Sequence, residues 1–312
     1  MFPILPANSA AALSGNDEGI FAFGQSGPPT AFHDETNKVS NVGVVATGVT
    51  GVGTARGTVM ATEYGGDKGI IAYGYLTQPG PTGFTAISNL VSNSGVMAAD
   101  VAGVGTVRSA GAGCNYGGDK GIFSFGYNNV SSNPAPWSSL VSNVGVIASD
   151  VTFPGGVTAR IQVAGCEYGT QTAIVGYGAD PARCAITNLI SSAGVVVADQ
   201  AAITGSARNA PAACSFGYDK GLFGYGQTTG GKSAVTNIVS NTGVVADDVS
   251  GVGTGRSDLG ACEYGQDKGI FGFGYGASLT GVTNLISNLG VAATDVAAVG
   301  TARYEVAGCS FN

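Results

Sequence analysis

The chain has 312 residues, of which 53 are glycine, and only 11% of them are charged, against about 25% in an average soluble domain. Its net charge of −7 would repel phosphate backbones, so nucleic acid is not an expected partner. No apolar run reaches the roughly 18 residues of a membrane-spanning helix, and the first residues lack the basic region of an export signal.

A phrase close to DKGIFGFGY occurs six times along the chain. Its copies are separated by 50, 52, 52, 48 and 48 residues and begin at Asp17, Asp67, Asp119, Gln171, Asp219 and Asp267. Glycine at such density would cost about 1 kcal/mol per residue inside helices. We therefore expect an all-β protein built from about six repeats.

Each repeat contains four segments of strand length in a fixed order. In the order in which they follow one another within a repeat, they are a small-residue strand, an alternating apolar strand, a TNLISN strand and a GVVAxD strand. Examples taken from different repeats are residues 112–116, 69–74, 187–192 and 95–100. The turns YGGDK and SNxG between them suit positive φ angles. Four such segments predict one antiparallel meander, which is too small to be stable alone and must stack against its neighbours.

The period predicts a six-bladed β-propeller of four-stranded antiparallel blades in a single domain, residues 1–312. An open solenoid is the alternative, but four strands per period favour a ring. We expect residues 302–312 to close the ring by completing the first blade; closure by residues 9–14 is the alternative, and residues 1–14 are a candidate anchor. The predicted blades lie near residues 17–50, 56–101, 108–151, 160–200, 208–249 and 256–296.

The repeat resembles the kelch repeat, in which an arginine precedes small apolar residues, a tight turn and an apolar strand. Here Arg108 precedes AGCNYGGDK and GIFSFGY, although the kelch Gly-Gly is replaced by pairs such as Gly74-Tyr75. The resemblance implies a kelch-like propeller. The sequence pattern TNLISNxGVVAxDVxGVGTxR is also similar to repeats of bacteriophage particle and tail proteins. That similarity implies a virion component, assembled in the host cytoplasm, such as a tail fibre or adhesin.

Arginine recurs at one position of every repeat, and in five repeats an aspartate lies 8 to 10 residues before an arginine. A ring of ion-binding carboxylates is one interpretation, and a structural Arg–Asp pair within or between blades is the favoured one. The residues concerned are Asp100, Arg108, Asp150, Arg160, Asp199, Arg208, Asp248, Arg256, Asp295 and Arg303, with Arg56 in the repeat that has Gly48 in place of the acid.

Five cysteines share one register of the small-residue strand. Equivalent positions of neighbouring blades should be too far apart for a disulfide, so we expect free buried thiols, as in a reducing cytoplasm. A metal ring is the alternative, but the chain has one histidine and no C-x-x-C; we expect no metal and no cofactor. The five are Cys114, Cys166, Cys214, Cys262 and Cys309.

We call the alternating apolar strand of each repeat the KGIF strand. The loop that follows it differs in length and sequence from copy to copy, whereas the YGGDK and SNxG turns hardly vary. One end of the propeller should therefore be variable and the other uniform, and recognition tends to reside in variable loops on a rigid scaffold. Solvated loop tips are the alternative. The candidate contact residues are Phe32, His33, Phe84, Asn128, Trp137 and Arg183.

The sequence favours a protein that is not an enzyme. His33 is the single histidine, and neither sialidase-type Ser-x-Asp boxes nor a phosphate-binding loop occurs. Two functions remain: a tail-fibre adhesin that attaches to a host surface glycan or protein, and a structural decoration or connector that binds only other virion proteins. Membrane insertion is not expected, and an oligomer is compatible with the sequence.

Overall fold

The computed structural model describes residues 15–27, 31–76, 83–128, 134–200 and 205–312. Within these ranges the fold is all-β: every regular element is a strand and every pairing is antiparallel, as the sequence predicts. None of the described residues belongs to a helix with the length and apolarity needed to cross a membrane. Residues 9–14, the alternative closing segment, lie outside the described ranges.

The strands are short, and most of them have four or five residues. In chain order they are β1 (Glu18–Ala22), β2 (Gln25–Ser26), β3 (Ala31–Phe32), β4 (Thr36–Val39), β5 (Met60–Tyr64), β6 (Lys68–Ala72), β7 (Ser88–Val91), β8 (Ala112–Tyr116), β9 (Lys120–Ser124), β10 (Trp137–Val141), β11 (Val151–Thr152), β12 (Ala164–Tyr168), β13 (Thr172–Gly176), β14 (Thr187–Ile190), β15 (Ala212–Phe216), β16 (Lys220–Gly224), β17 (Gln227–Thr228), β18 (Gly231–Lys232), β19 (Thr236–Val239), β20 (Gly260–Tyr264), β21 (Lys268–Gly272), β22 (Thr283–Ile286) and β23 (Ala307–Phe311).

Six sheets correspond to the six repeats. Sheet 1 has the order β23-β1-β4, sheet 2 β5-β6-β7, sheet 3 β8-β9-β10-β11, sheet 4 β12-β13-β14, sheet 5 β15-β16-β19 and sheet 6 β20-β21-β22. Two hairpins, β2-β3 and β17-β18, extend the loops of sheets 1 and 5. The KGIF strand is thus central in each sheet, and the small-residue strand and the TNLI strand flank it.

Within the described ranges only sheet 3 has a fourth strand, β11, and this strand follows the predicted GVVAxD segment instead of being formed by it. In all six sheets the GVVAxD segment is not a regular strand and pairs through an isolated bridge, such as Val91 with Met97 and Val141 with Ile147. A side chain also joins the segment to its sheet: Asn89 Nδ2 donates to the carbonyl of Ala98 at 3.0 Å and to Asp100 Oδ1 at 2.9 Å. The segment is therefore held by a single bridge and by this amide, without a continuous backbone ladder.

The predicted pairing of the C-terminal segment with the first repeat is confirmed. Strand β23 pairs with β1 over five residues, from Glu18 opposite Phe311 to Ala22 opposite Ala307. The first strand of sheet 1 therefore comes from the end of the sequence described, while its other two strands come from the beginning.

Each sheet contacts the next one in the sequence. The small-residue strands are neighbours in the succession β5, β8, β12, β15, β20 and β23, and β23 in turn contacts β5. At the YGGDK turns a backbone N–H of each sheet donates to the next sheet, as from Gly65 to Asp119 at 2.8 Å; the bond from Asn312 to Asp67, at 3.1 Å, leads from sheet 1 to sheet 2.

The buried apolar residues form six clusters, and each cluster lies between two consecutive sheets. The cluster between sheets 6 and 1, for example, joins Phe21 and Val39 to Cys262, Ile270 and Phe273. The apolar alternation of the KGIF strand therefore serves the contacts between sheets. The hydrophobic core of the protein is the sum of these six interfaces.

All five cysteines in the shared register are buried and free, as predicted, and Cys184 is a further free thiol. Each register position packs against the small second residue of a neighbouring KGIF strand. A Cβ added at Gly269 would lie 2.5 Å from Cys214 Sγ, and one added at Gly69 would lie 2.4 Å from Cys309 Sγ. The sulfur therefore fills the space that glycine leaves, which explains why the repeat contains a glycine there.

Candidate binding surface

The repeated arginines join consecutive sheets, and we call each of these arrangements an arginine latch. All six arginines are fully buried. The guanidinium of Arg56 lies 4.0 Å from the ring centroid of Phe23 in the preceding sheet, and that of Arg303 lies 4.2 Å from Phe273. Stacking on an aromatic face stabilises a desolvated cation. The other four pairs are Arg108 over Tyr73, Arg160 over Phe125, Arg208 over Tyr177 and Arg256 over Tyr225.

The favoured structural role of the acids is also found, with a partner that the sequence spacing did not reveal. Each aspartate pairs with the arginine that begins its own repeat: Arg108 Nη1 lies 3.0 Å from Asp150, 42 residues away, and Arg56 lies 3.9 Å from Asp100. The pairs Arg160–Asp199 and Arg208–Asp248 are each 3.7 Å apart, and Asp295 interacts electrostatically with Arg256. The acid 8 to 10 residues before an arginine is therefore not its partner.

Sheet 1 fills its latch in a different way. Its repeat has Gly48 where the others have aspartate, and Glu35 Oε1 pairs with Arg303 Nη1 at 3.3 Å. A Cβ added at Gly48 would lie 1.8 Å from the same Oε1 atom. Glu35 thus brings its carboxylate into the space of the missing aspartate, and the latch is complete in all six repeats.

Three glutamates at equivalent positions of the small-residue strands line a narrow cavity of about 80 Å³ near the YGGDK turns. We call Glu63, Glu167 and Glu263 the glutamate cluster; it alternates with Asn115, Ser215 and Ser310 in the intervening sheets. Burial raises the pKa of Glu167 to about 8, with a further contribution from the charges of Glu263 and Glu63. Burial, again with Glu63, raises the pKa of Glu263 to about 7.

These shifts predict a stability that falls in alkaline solution. A folded-state pKa above the unfolded value of 4.5 means that the folded protein binds the proton more tightly, so this stabilisation is full below pH 4.5 and is lost as the pH rises to about 7 and 8. We expect the double variant Glu167→Gln, Glu263→Gln to be more stable than the parent at pH 9 by about 1 to 3 kcal/mol. Urea unfolding between pH 5 and pH 9 measures the difference.

The matched control for this experiment is Asp180→Asn, which removes one acid from an exposed loop and should leave the pH profile unchanged. The charged groups that face the cavity besides the cluster are Asp119, Asp219 and Lys220. Parallel pH profiles of the parent and the double variant would show that the glutamates do not cause the loss.

The two ends of the sheets differ as predicted from the loops. The end with the YGGDK and SNxG turns, here called the uniform end, repeats the same backbone bonds from sheet to sheet. The loops after β1, β6, β9, β13, β16 and β21 form the variable end, and two surface clefts lie among the residues of these loops. The six candidate contact residues fall into four groups in the structure.

Phe32 and Phe84 lie in a row of aromatic rings at the variable end. The ring of Phe32 is 6.4 Å from that of Tyr75, which is 4.8 Å from Phe84, and Phe84 is 5.5 Å from Tyr127. The row crosses from sheet 1 to sheet 3 and holds the loops of neighbouring repeats together. Both phenylalanines are at the predicted end, and part of their role is structural.

His33 lies on the hairpin β2-β3, with Nε2 2.8 Å from Ser26 Oγ. Burial lowers its pKa, as does Arg303, against the opposing effect of Glu35 and Asp34. A neutral imidazole beside a hydroxyl is the start of a base-assisted nucleophile. Glu35, which could orient the ring, is instead engaged by Arg303.

Asn128 and Trp137 do not fit the role of exposed loop contacts. Asn128 is fully buried, and Trp137 is a half-buried residue of strand β10, opposite Thr152 of β11. Sheet 3 is the sheet with a fourth strand, so the residue that the sequence places in a loop has been drawn into the ladder. The structure thus places Asn128 in the interior and Trp137 in a strand, so neither side chain is presented on a loop tip.

Arg183 lies at the variable end, as predicted, in a cleft of about 670 Å³ between the loops of sheets 4 and 5. Its Nε donates to Asn209 Oδ1 at 2.6 Å, and Asn209 Nδ2 donates to Gln162 Oε1 at 2.5 Å. The guanidinium is therefore partly committed to the framework through Nε, and Arg183 lines the cleft.

A second cleft, of about 660 Å³, lies between sheets 6 and 1 and contains residues that the sequence did not single out. We call it the tyrosine cleft; its lining residues are Gly27, Asp258, Tyr275, Ala277, Ser278, Leu279 and Tyr304. The signal was present in the alignment of the repeats. The residue after the arginine is Gly57, Ser109, Ile161, Asn209 or Ser257 in five repeats and is aromatic only at Tyr304.

No group of three or more His, Cys, Asp or Glu side chains within the described ranges is arranged to hold a metal ion. The glutamate cluster is included in that statement. No protein-family model matches the chain, and comparison with the curated proteins gives no match.

Proposed function

We propose that the six sheets are the blades of a closed, kelch-like six-bladed propeller and that this propeller is a tail-fibre adhesin of a bacteriophage, attaching the particle to a host surface. Closure is supported by the contact of β23 with β5, the apolar cluster between sheets 6 and 1 and the bond from Asn312 to Asp67. Six arginine latches, the last of them from sheet 1 to sheet 6, support the same arrangement.

The observation that carries the proposed function is the difference between the two ends. The uniform end repeats one bonding pattern, whereas the variable end has two clefts of about 670 and 660 Å³ whose lining residues differ. These volumes lie within the ~300–1,000 Å³ range of small-molecule sites. A rigid scaffold with unlike loops at one end is the arrangement expected of a recognition module.

Cell adsorption tests this function. Fluorescently labelled protein is incubated with a panel of bacterial strains, and the bound fraction is measured after washing. We expect saturable adsorption to at least one strain that unlabelled protein displaces. A variant in which Gly-Ser residues replace the loop 227–232 tests whether adsorption uses the variable end, because the change alters this end and leaves the YGGDK turns intact. Absence of displaceable adsorption from every strain would contradict the adhesin.

One observation favours the second candidate, a structural decoration or connector that binds only other virion proteins. A valine after the SNxG turn is exposed in every sheet, with exposed fractions between 53% and 65%. Repeated exposed apolar side chains mark protein contacts. These residues form the valine belt: Val44, Val96, Val146, Val195, Val244 and Val291. In that case the valine belt would attach the protein to other proteins of the particle.

A further inference from the structure

The tyrosine cleft is held by backbone pairing on both of its aromatic walls. Tyr275 exchanges two hydrogen bonds with Ser257, at 2.9 and 3.0 Å, and Tyr304 exchanges two with Gln25, also at 2.9 and 3.0 Å. The backbone beneath each ring is therefore fixed before any ligand arrives. A preorganised site loses little conformational freedom on binding, which favours affinity.

The two rings form an open, tilted wall. Their centroids are 5.9 Å apart with an interplanar angle of 51°. Tyr275 is 42% exposed, although the ammonium of Lys232 lies 5.1 Å from the centroid of its ring. Exposed aromatic area of this kind offers a partner with an apolar face a surface on which to stack.

The polar groups of the cleft are suited to hydroxyl groups. Within the described ranges neither tyrosine hydroxyl has a hydrogen-bond partner. Burial raises the pKa of Tyr304 to about 12, helped by Glu305 and Asp258, so this phenol remains a donor. Ser278 adds a hydroxyl at the rim, and the Asp258 carboxyl, which accepts a bond from Ser257 Oγ at 2.5 Å, lies at the base.

The charge of the cleft argues for an uncharged ligand. Asp258 is the single charged residue among the lining residues, and burial raises its pKa. Lys232 Nζ is already engaged, since it donates to Ser257 Oγ at 2.5 Å. An anion would meet the carboxyl at the base, and a cation would find no dedicated carboxylate at the rim.

We propose that the tyrosine cleft binds a neutral hexose ring of a surface glycan, an inference that rests on the proposed attachment function. A pyranose presents one face of C–H groups, which stacks on Tyr275, and an edge of hydroxyls, which meets the phenols of Tyr275 and Tyr304. This combination of an aromatic platform with unpaired hydroxyl donors matches a sugar better than a peptide, whose backbone would need partners along its whole length.

The test uses the whole protein and three probes: methyl α-glucoside, methyl β-galactoside and N-acetylglucosamine. Saturation-transfer NMR detects contact, and titration gives the dissociation constant. We expect transfer to at least one sugar, strongest at the ring C–H protons. Tyr275→Ala should weaken binding at least tenfold, and Tyr304→Phe, which keeps the ring, should weaken it about two- to fivefold by removing one hydrogen bond. A thermal melt confirms that each variant is folded.

Tyr218→Ala is the matched control, because Tyr218 is also 42% exposed but lies in the turn between β15 and β16 at the uniform end. Its sugar affinity should equal that of the parent. No transfer to any of the three sugars, or equal affinities for the parent and Tyr275→Ala, would overturn the assignment. Adsorption to cells without sugar binding overturns the cleft and leaves the adhesin standing; sugar binding without adsorption does the reverse.

Discussion

A protein that lacks residues 302–312 will be recovered as aggregate or as an unfolded chain. The deletion removes Arg303, which is fully buried, and strand β23 with the buried side chains of Cys309 and Phe311. Each buried apolar side chain is worth about 1.5 to 3 kcal/mol, and breaking a buried ion pair costs about 3 to 5 kcal/mol. Together these losses approach the ~5–15 kcal/mol that stabilise a whole domain. Size-exclusion chromatography and a thermal melt measure the outcome.

Deletion of residues 1–14 is the control for this experiment. It removes the alternative closing segment and leaves β1, β23 and Asn16 in place. We expect that protein to elute as a folded species with a cooperative melt. If instead the C-terminal truncation were soluble and melted cooperatively, the proposed closure by β23 would be wrong.

Replacing Arg108 with methionine should lower the free energy of unfolding by about 3 to 5 kcal/mol. The arginine Nη1 lies 3.0 Å from Asp150, Nη2 donates to Ser139 Oγ at 2.8 Å, and the guanidinium stacks 4.1 Å from the centroid of Tyr73. Methionine has a similar length, so the main loss is that of the charge and its hydrogen bonds. Urea unfolding followed by circular dichroism gives the change.

Lys120→Met removes the same charge from the same sheet and is the matched control. Lys120 pairs with Asp119 at 3.1 Å, but the two side chains are 44% and 40% exposed. An exposed pair of this kind contributes about 0 to 1 kcal/mol. Equal losses for the two variants would show that the arginine latch acts only through net charge.

The repeat made the sheets and their order predictable, and the geometry of the latches was not. An apolar alternating strand bounded by glycine turns is expected at the centre of a sheet. The last small-residue segment, AGCSF, has no KGIF strand after it, and the first KGIF strand, β1, was therefore its expected partner. By contrast, Asp100 and Arg108 are close in sequence, yet the side chains separate because the chain crosses from one sheet to the next between them. Distance along the chain gave no measure of distance in space here.

The tyrosine cleft was harder to predict than the fold because residues from two different repeats form it. Tyr275 and Tyr304 belong to different sheets and meet only when sheet 6 lies against sheet 1. The irregularity of Tyr304 among the residues that follow the arginines was visible, but its partner was not. Asn128 illustrates the converse: a polar residue in a variable loop looked exposed, and tertiary packing buried it completely.

The split construction of sheet 1 has a consequence for synthesis on the ribosome. Phe23 follows β1, and its carbonyl accepts a hydrogen bond at 2.8 Å from Arg303, 280 residues later in the chain. At about 5 to 20 residues per second, a nascent chain waits roughly 15 to 60 s for that arginine. Throughout this interval one edge of β1 lacks its partner strand, so we expect the nascent N-terminal repeat to need protection from pairing with other chains.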